Sequence, residues 1–297
     1  MMATRPPPKG GIGLNRLDRM KGHLEKLNQD PKFKRRAASV LIVFYLVTAY
    51  FGIRYLRDTK HKATGEPSPY KSLDDVEDVV GIPSARDTTE IYDSLAQDYD
   101  KKIRMEEFLS TIWLKRRRVM KNVSGDVLEV ACGTGRNIPY FRPDNVSSIT
   151  FLDPSLPMLQ VAKEKFEDKY PKYEKVQFVK GRAEDLIDIT SNSGQKFDTI
   201  YESFGLCSHE DPEKALKNFT QLLRPGGKIV LLEHGRSDKE SLNERLDKRA
   251  AARFKEWGCR WNLDIDQIVQ NSGLEIIDQK RYHFGTTYFY ILKQKTN

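Results

Sequence analysis

One stretch constrains this chain more than any other: Asp126-Val127-Leu128-Glu129-Val130-Ala131-Cys132-Gly133-Thr134-Gly135-Arg136-Asn137. Its mainly apolar run, Val127 to Ala131, leads straight into a glycine pair. That pattern predicts a buried parallel strand, a tight turn and a helix start. Gly133 and Gly135 allow backbone angles that a side chain forbids, and they let a ligand approach the main chain. Glu129 falls near the strand exit, where open α/β sheets bind ligands. Its carboxylate accepts hydrogen bonds from hydroxyl or ammonium groups and offers a phosphate nothing.

A dinucleotide fingerprint needs a third glycine three residues after the second, and here that position is Ile138. No lysine follows in P-loop spacing. The next acidic landmark is Asp153, which closes the apolar run Ile149-Thr150-Phe151-Leu152. It lies about 20 residues beyond Gly133, the separation expected of a second-strand acid that holds ribose hydroxyls. A ribose, a cationic amino acid and no pyrophosphate together describe S-adenosylmethionine.

Further strands are predicted at 148–152, 176–180, 197–204 and 228–233, alternating with helices at 155–170 and 212–223. A short helix is expected near 137–141, and a turn at Arg224-Pro225-Gly226-Gly227. A helix over 242–257 then precedes a closing hairpin of strands 274–281 and 287–293. This rhythm predicts a parallel sheet covered on both faces. Upstream, Ile91, Leu95 and Tyr99 mark one helix, and a second is expected over about 105–121. Lys115-Arg116-Arg117-Arg118 on the latter is read as a solvated face, with anionic lipid headgroups as the functional alternative.

The net charge of +8 suggests nucleic acid until its position is considered. Residues 1–36 hold ten Lys and Arg against three acids, so the remainder is near neutral and a nucleic-acid partner is not expected. This basic segment, with Pro6-Pro7-Pro8 and Gly10-Gly11, reads as a mitochondrial targeting or matrix-side segment. The charge-free run Ala37–Ile53 reads as a single transmembrane helix, flanked by Arg35, Arg36, Arg54 and Arg57. The expected organisation is therefore a basic segment (1–36), a membrane span (37–56), a polar linker (57–87) and a catalytic domain (88–297). The three cysteines, Cys132, Cys207 and Cys259, are widely spaced with no C-x-x-C, so reduced thiols and no metal centre are expected.

Four motifs in order carry a resemblance over about residues 88–295: Glu129-x-x-Cys132-Gly133-Thr134-Gly135, Asp153-Pro154-Ser155-x-x-Met158-Leu159, Ala183-Glu184-Asp185-Leu186 and Leu223-Arg224-Pro225-Gly226-Gly227. They resemble the class I S-adenosylmethionine-dependent methyltransferases. Tyr92-Asp93-Ser94-Leu95-Ala96 and Ser203-Phe204-Gly205-Leu206 are similar to the UbiE-like quinone methyltransferases. With the basic start and the single apolar run, the whole most resembles fungal Oms-type methyltransferase-like proteins of the mitochondrial inner membrane. Leu232-Glu233-His234 and Gly258-Cys259 also resemble membrane-anchored thiol methyltransferases. The resemblance implies an α/β, Rossmann-like seven-stranded fold behind an N-terminal transmembrane helix. It also implies S-adenosyl-L-methionine as cofactor, with Glu129 beside the methionine moiety and Cys132, Gly133 and Gly135 at the bend. Asp153 would hold the ribose, Ala183 and Glu184 the adenine, and Ser203 would lie under the sulfonium. The chain departs from the quinone-type pattern at Arg182, where those enzymes have Asp or Asn. It departs again at Cys207-Ser208, where they have Arg-Asn.

Methyl transfer is an in-line displacement from an activated sulfonium, so the protein mainly aligns the two partners. A phenol or thiol acceptor needs a base, for which His209 and His234 are the candidates. Tyr92 and Tyr99 are expected to form an aromatic lid, and Trp257, Trp261 and Tyr282 to line an apolar acceptor pocket. The expected acceptor is small and hydrophobic or membrane-associated. A cofactor-binding inner-membrane assembly factor, with assembly partners and little catalysis, is the alternative. An RNA methyltransferase and a nicotinamide oxidoreductase are further alternatives, disfavoured by the charge distribution and by Ile138 respectively.

Overall fold

Within the sheet, buried strands alternate apolar residues between two helical layers. The computed structural model describes residues 82–191 and 194–295, together with Asp30, Pro31 and Tyr45. The chain divides into two units, Met1–Ser72 and Leu73–Asn297. In the first, the described Pro31 and Tyr45 are helical. The expected basic segment, membrane span and most of the linker otherwise lie outside the described residues. Among the described residues, no helix is long and apolar enough to cross a membrane.

The second unit holds α1 (Thr89–Leu95), α2 (Tyr99–Leu109) and α3 (Ile112–Lys121), then β1 (Gly125–Val130), β2 (Val146–Asp153) and α4 (Leu156–Lys169). After these come β3 (Val176–Lys180), α5 (Leu186–Thr190), β4 (Phe197–Ser203), α6 (Pro212–Leu222) and β5 (Leu223–His234). The order ends with α7 (Glu240–Trp257), α8 (Ile265–Asn271), β6 (Glu275–Tyr282) and β7 (Thr287–Lys293). The described strands form one sheet in the order β3-β2-β1-β4-β5-β7-β6. β1 to β5 pair parallel, and β7 runs antiparallel between β5 and β6. Strand order reverses between β1 and β4, which makes that gap the topological switch point where such sheets bind ligands.

On one face, Leu128, Ile200 and Leu231 pack with Phe219 of α6 and Val269 of α8. On the other, Val127, Phe151 and Tyr201 pack with Met120 of α3 and Phe166 of α4. Adjacent residues Val127 and Leu128 thus serve opposite layers, as the two-residue period of a strand requires. β6 is the exposed edge.

Three expectations need correction. The single helix over 105–121 is two helices, because Thr111 takes φ 58° and the Ser110 hydroxyl turns back to Glu106 O at 2.6 Å. Such side-chain bonds compete with the helical ladder. The turn at 224–227 is instead a bulge inside β5: Leu223 pairs with Phe197 and Lys228 with Thr199, leaving the intervening residues looped out. The helix α8 is additional; Asp264 caps it by accepting from Gln267 N at 3.0 Å, and Ile265, Ile268 and Val269 form its buried stripe.

Candidate functional site

At the end of β1 the chain makes a bend whose alternate residues all have positive φ: Ala131 (48°), Gly133 (55°) and Gly135 (72°). Glycine suits two of these; Ala131 is the one the spacing does not announce. The two glycines do different work. A Cβ on Gly135 would lie 2.2 Å from Ile138 Cδ1, so that hydrogen is demanded by packing under the bend. A Cβ on Gly133 would meet nothing within 4 Å, so that glycine faces open space.

Asp153 fastens the second strand to this bend. Its Oδ2 accepts from Gly133 N at 2.7 Å and its Oδ1 from Ser155 N at 2.9 Å. Burial pushes its carboxyl up to about 6, against the pull of those two N–H groups. A carboxylate has about four acceptor sites, so each oxygen retains a lone pair for a hydroxyl.

Glu129 lies one strand over, 2% exposed. Its Oε2 accepts from Tyr201 OH at 2.5 Å and its Oε1 from Asn137 Nδ2 at 2.9 Å. Burial lifts it to about 7, outweighing both hydrogen bonds. Asn137 also donates to Ser203 Oγ at 3.2 Å and accepts from Arg116 Nη1 at 3.1 Å. Arg116 in turn pairs with Glu107 at 2.6 Å. The expectation of a solvated Lys115–Arg118 face therefore fails at Arg116, which is buried because Glu107 and Asn137 neutralise and saturate its guanidinium. Asn137, Tyr201 and Arg116 form a buried polar chain that no local pattern foretells, since its members come from different elements.

Cys132 is also buried, but its side chain belongs to the layer of Ile138 and Phe141. Its N–H donates to Leu152 O at 3.1 Å. It supports the bend from beneath.

A cleft opens over the ends of β1 to β4, lined among others by Asp87, Thr88, Ala131, Arg182, Ala183 and His209. Glu184 lines it too, yet its Oε1 accepts from Glu210 N (2.9 Å) and Asp211 N (3.2 Å), holding the loop before α6. Arg182 spans Glu210 at 3.0 Å and Asp87 at 3.5 Å. The N-terminal helices are fastened beside the cleft by two acids. Asp93 accepts from Ser155 Oγ at 2.5 Å, and Asp100 accepts from Thr134 Oγ1 at 2.6 Å and pairs with Lys165. Tyr92 and Tyr99 lie 6.4 Å apart, with Trp257 edge-on to Tyr99 at 6.1 Å. The predicted pocket of Trp257, Trp261 and Tyr282 is not assembled. Trp257 joins the tyrosine cluster and shares the Arg253 guanidinium with Trp261, at 4.7 and 5.4 Å, while Tyr282 packs in a separate cluster with residues such as Phe289.

The two candidate bases are both engaged. His209 Nε2 lies 2.5 Å from Glu202 Oε1; burial works against its charge, but Glu202 outweighs it and raises the pKa. His234 Nε2 lies 3.2 Å from Cys207 Sγ and 2.9 Å from Cys259 Sγ.

Comparison with known proteins places this geometry. A family model described as "Methyltransferase domain" matches residues 99–279. The mitochondrial methyltransferase OMS1 of Saccharomyces cerevisiae is 49% identical over 72% of this chain and 48% of its own length. The chain thus spans about half of that relative. The ubiquinone/menaquinone biosynthesis C-methyltransferase UbiE of Campylobacter jejuni is 27% identical over 69% of this chain and 96% of its own. Among solved structures, the DhpI–SAH complex shares the fold, with TM-score 0.50 and 18% identity over 70% of this chain and 96% of that one.

Proposed function

Because this chain belongs to the methyltransferase domain family, we propose that it binds S-adenosylmethionine over the bend of β1 and transfers the methyl group to a small hydrophobic or membrane-associated acceptor. One observation carries this reading: Asp153 is held against the Gly133 N–H, beside a glycine whose Cα faces open space. The donor set fits the cofactor and not a dinucleotide. Two buried carboxylates, Glu129 and Asp153, keep acceptor sites for an ammonium and a ribose, and a pyrophosphate would meet only repulsion there.

The cofactor supplies an activated methyl group when bound. Asp153 would hold the ribose, Ala183 and Glu184 the adenine, and Glu129 the ammonium end. Ser203, which accepts from Asn137, would serve the sulfonium end. Tyr92, Tyr99 and Trp257 exclude water from that end. We further propose a single-pass anchor over 37–56, built on the charge-free run Ala37–Ile53, in the mitochondrial inner membrane, ahead of a linker (57–87) and the domain (88–297). The charge-free run and the relative's mitochondrial name support it.

Calorimetric titration of the full chain with S-adenosylmethionine and with NAD tests the cofactor; binding of NAD alone would refute it. Turnover on a panel of thiols and quinone precursors tests the acceptor. The engagement of His209 and His234 favours a second reading, a cofactor-binding assembly factor with little catalysis. Binding without transfer to any acceptor would select it.

A further inference from the structure

Cys207 and Cys259 are buried far apart in sequence, and with His234 they bring three ligand atoms within 4.8 Å of one another. We propose that Cys207 Sγ, Cys259 Sγ and His234 Nε2 form a binding site for one thiophilic metal ion, Zn²⁺, behind the wall of the cofactor cleft. Cys207 comes from the loop after β4, His234 ends β5, and Cys259 follows α7. The ion would tie these three segments together next to Ser208 and His209, which line the cleft.

The donor chemistry argues first. Two sulfurs and one imidazole nitrogen are the ligands that select zinc. Two thiolates, one neutral imidazole and Zn²⁺ sum to no net charge. That neutrality matters here, because the neighbouring Glu202 and Glu233 are fully buried and each has an oxygen without a hydrogen-bond partner. An uncompensated charge in such surroundings is costly.

Proton counting argues second. Without a metal, His234 Nε2 stands within hydrogen-bond range of both sulfurs. A neutral imidazole nitrogen offers either one lone pair or one proton, so it serves one sulfur well and not two. Cys207 has longer outlets at Ser208 Oγ (3.5 Å) and Phe204 O (3.7 Å), which leaves Cys259 and His234 to share a single bond. A metal satisfies all three atoms at once.

Size argues third. Zn–S of about 2.3 Å and Zn–N of about 2.05 Å at a tetrahedral angle set N···S at roughly 3.5 Å. The present separations of 2.9 and 3.2 Å need to open by about 0.6 and 0.3 Å. The imidazole is held in place by Phe204, whose ring centroid is 5.2 Å away. Three protein ligands leave the fourth position to water, the pattern of an open rather than a closed zinc site. Sequence alone hides this site because its ligands are separated by more than twenty residues each way.

The test is metal content of the full chain, purified under reducing conditions, without chelator and with any histidine tag removed. About one zinc per chain is expected by mass spectrometry. Cobalt loading should give thiolate-to-cobalt charge-transfer absorption, which needs no activity. Cys207→Ser and Cys259→Ser should each lower zinc affinity at least tenfold, whereas Cys132→Ser, outside the trio, should retain its zinc. If the cysteine variants fail to fold, the unmodified chain still decides. A failure to take up zinc in competition with a chelating dye would overturn the proposal, and so would a Cys207–Cys259 disulfide in the zinc-treated chain.

Discussion

At the carboxyl ends of β1 and β2 the protein presents bare backbone and two acids; at those of β4 and β5 it presents buried carboxyls, imidazoles and sulfur. The first region has space over Gly133, and its acids accept from N–H, hydroxyl and amide donors with lone pairs to spare. The second is filled: Glu202 Oε1 would lie 2.0 Å from a Cβ on Gly205, and Glu202 holds His209. The difference teaches which energy matters where. The β1 end recognises a ligand through backbone geometry, so it is sensitive to shape. The β4–β5 end stores titratable groups out of water, so it is sensitive to charge.

The largest effect should come from shape. Gly135→Val adds a β-branched side chain at φ 72° against Ile138. It should cost about 3 kcal/mol of stability, seen as a lower denaturant midpoint. Unchanged stability would mean that the bend is not tightly packed.

Asp153→Ala should weaken S-adenosylmethionine binding at least tenfold, about 1.4 kcal/mol, by calorimetry. Gly133→Ala should lower affinity by a similar factor while costing only about 1 kcal/mol of stability, because its Cβ enters open space with just the positive φ to penalise it. Equal affinity in both variants would place the ligand elsewhere.

A smaller effect follows pH. Burial holds Asp153 at about 6, above its ordinary 3.8. Ribose hydroxyls favour the ionised form, so affinity should fall as pH drops through about 6, with proton release on binding. The empty chain moves the other way. Its native state binds the extra proton between those two values, so this group's contribution to stability rises as pH falls from 6 toward 3.8. A pH-independent affinity would remove Asp153 from the ligand.

The smallest effect on cofactor affinity should come from Glu202→Gln, within about twofold, since this residue belongs to the filled end. The same change should lower the His209 pKa, read by NMR, because Glu202 is what opposes burial there. A large affinity loss would erase the distinction between the two ends.

By itself the sequence determined the alternation of strands and helices, the bend at Gly133–Gly135, the acid that closes β2 and the order of the motifs. These are local: a two-residue or helical period, a glycine pair and a spacing are all written in consecutive residues. Only the tertiary structure decided that Ala131 shares the strained bend, that Arg116 is buried, and that Asn137 links Glu129 to Ser203. It alone gathered Cys207, His234 and Cys259, and sent Trp257 and Tyr282 to separate packing clusters. The physical reason is common to all of these. Whether a polar side chain is solvated, paired or ligating depends on neighbours that arrive from distant strands, and a linear spacing carries no record of which strands the sheet sets side by side.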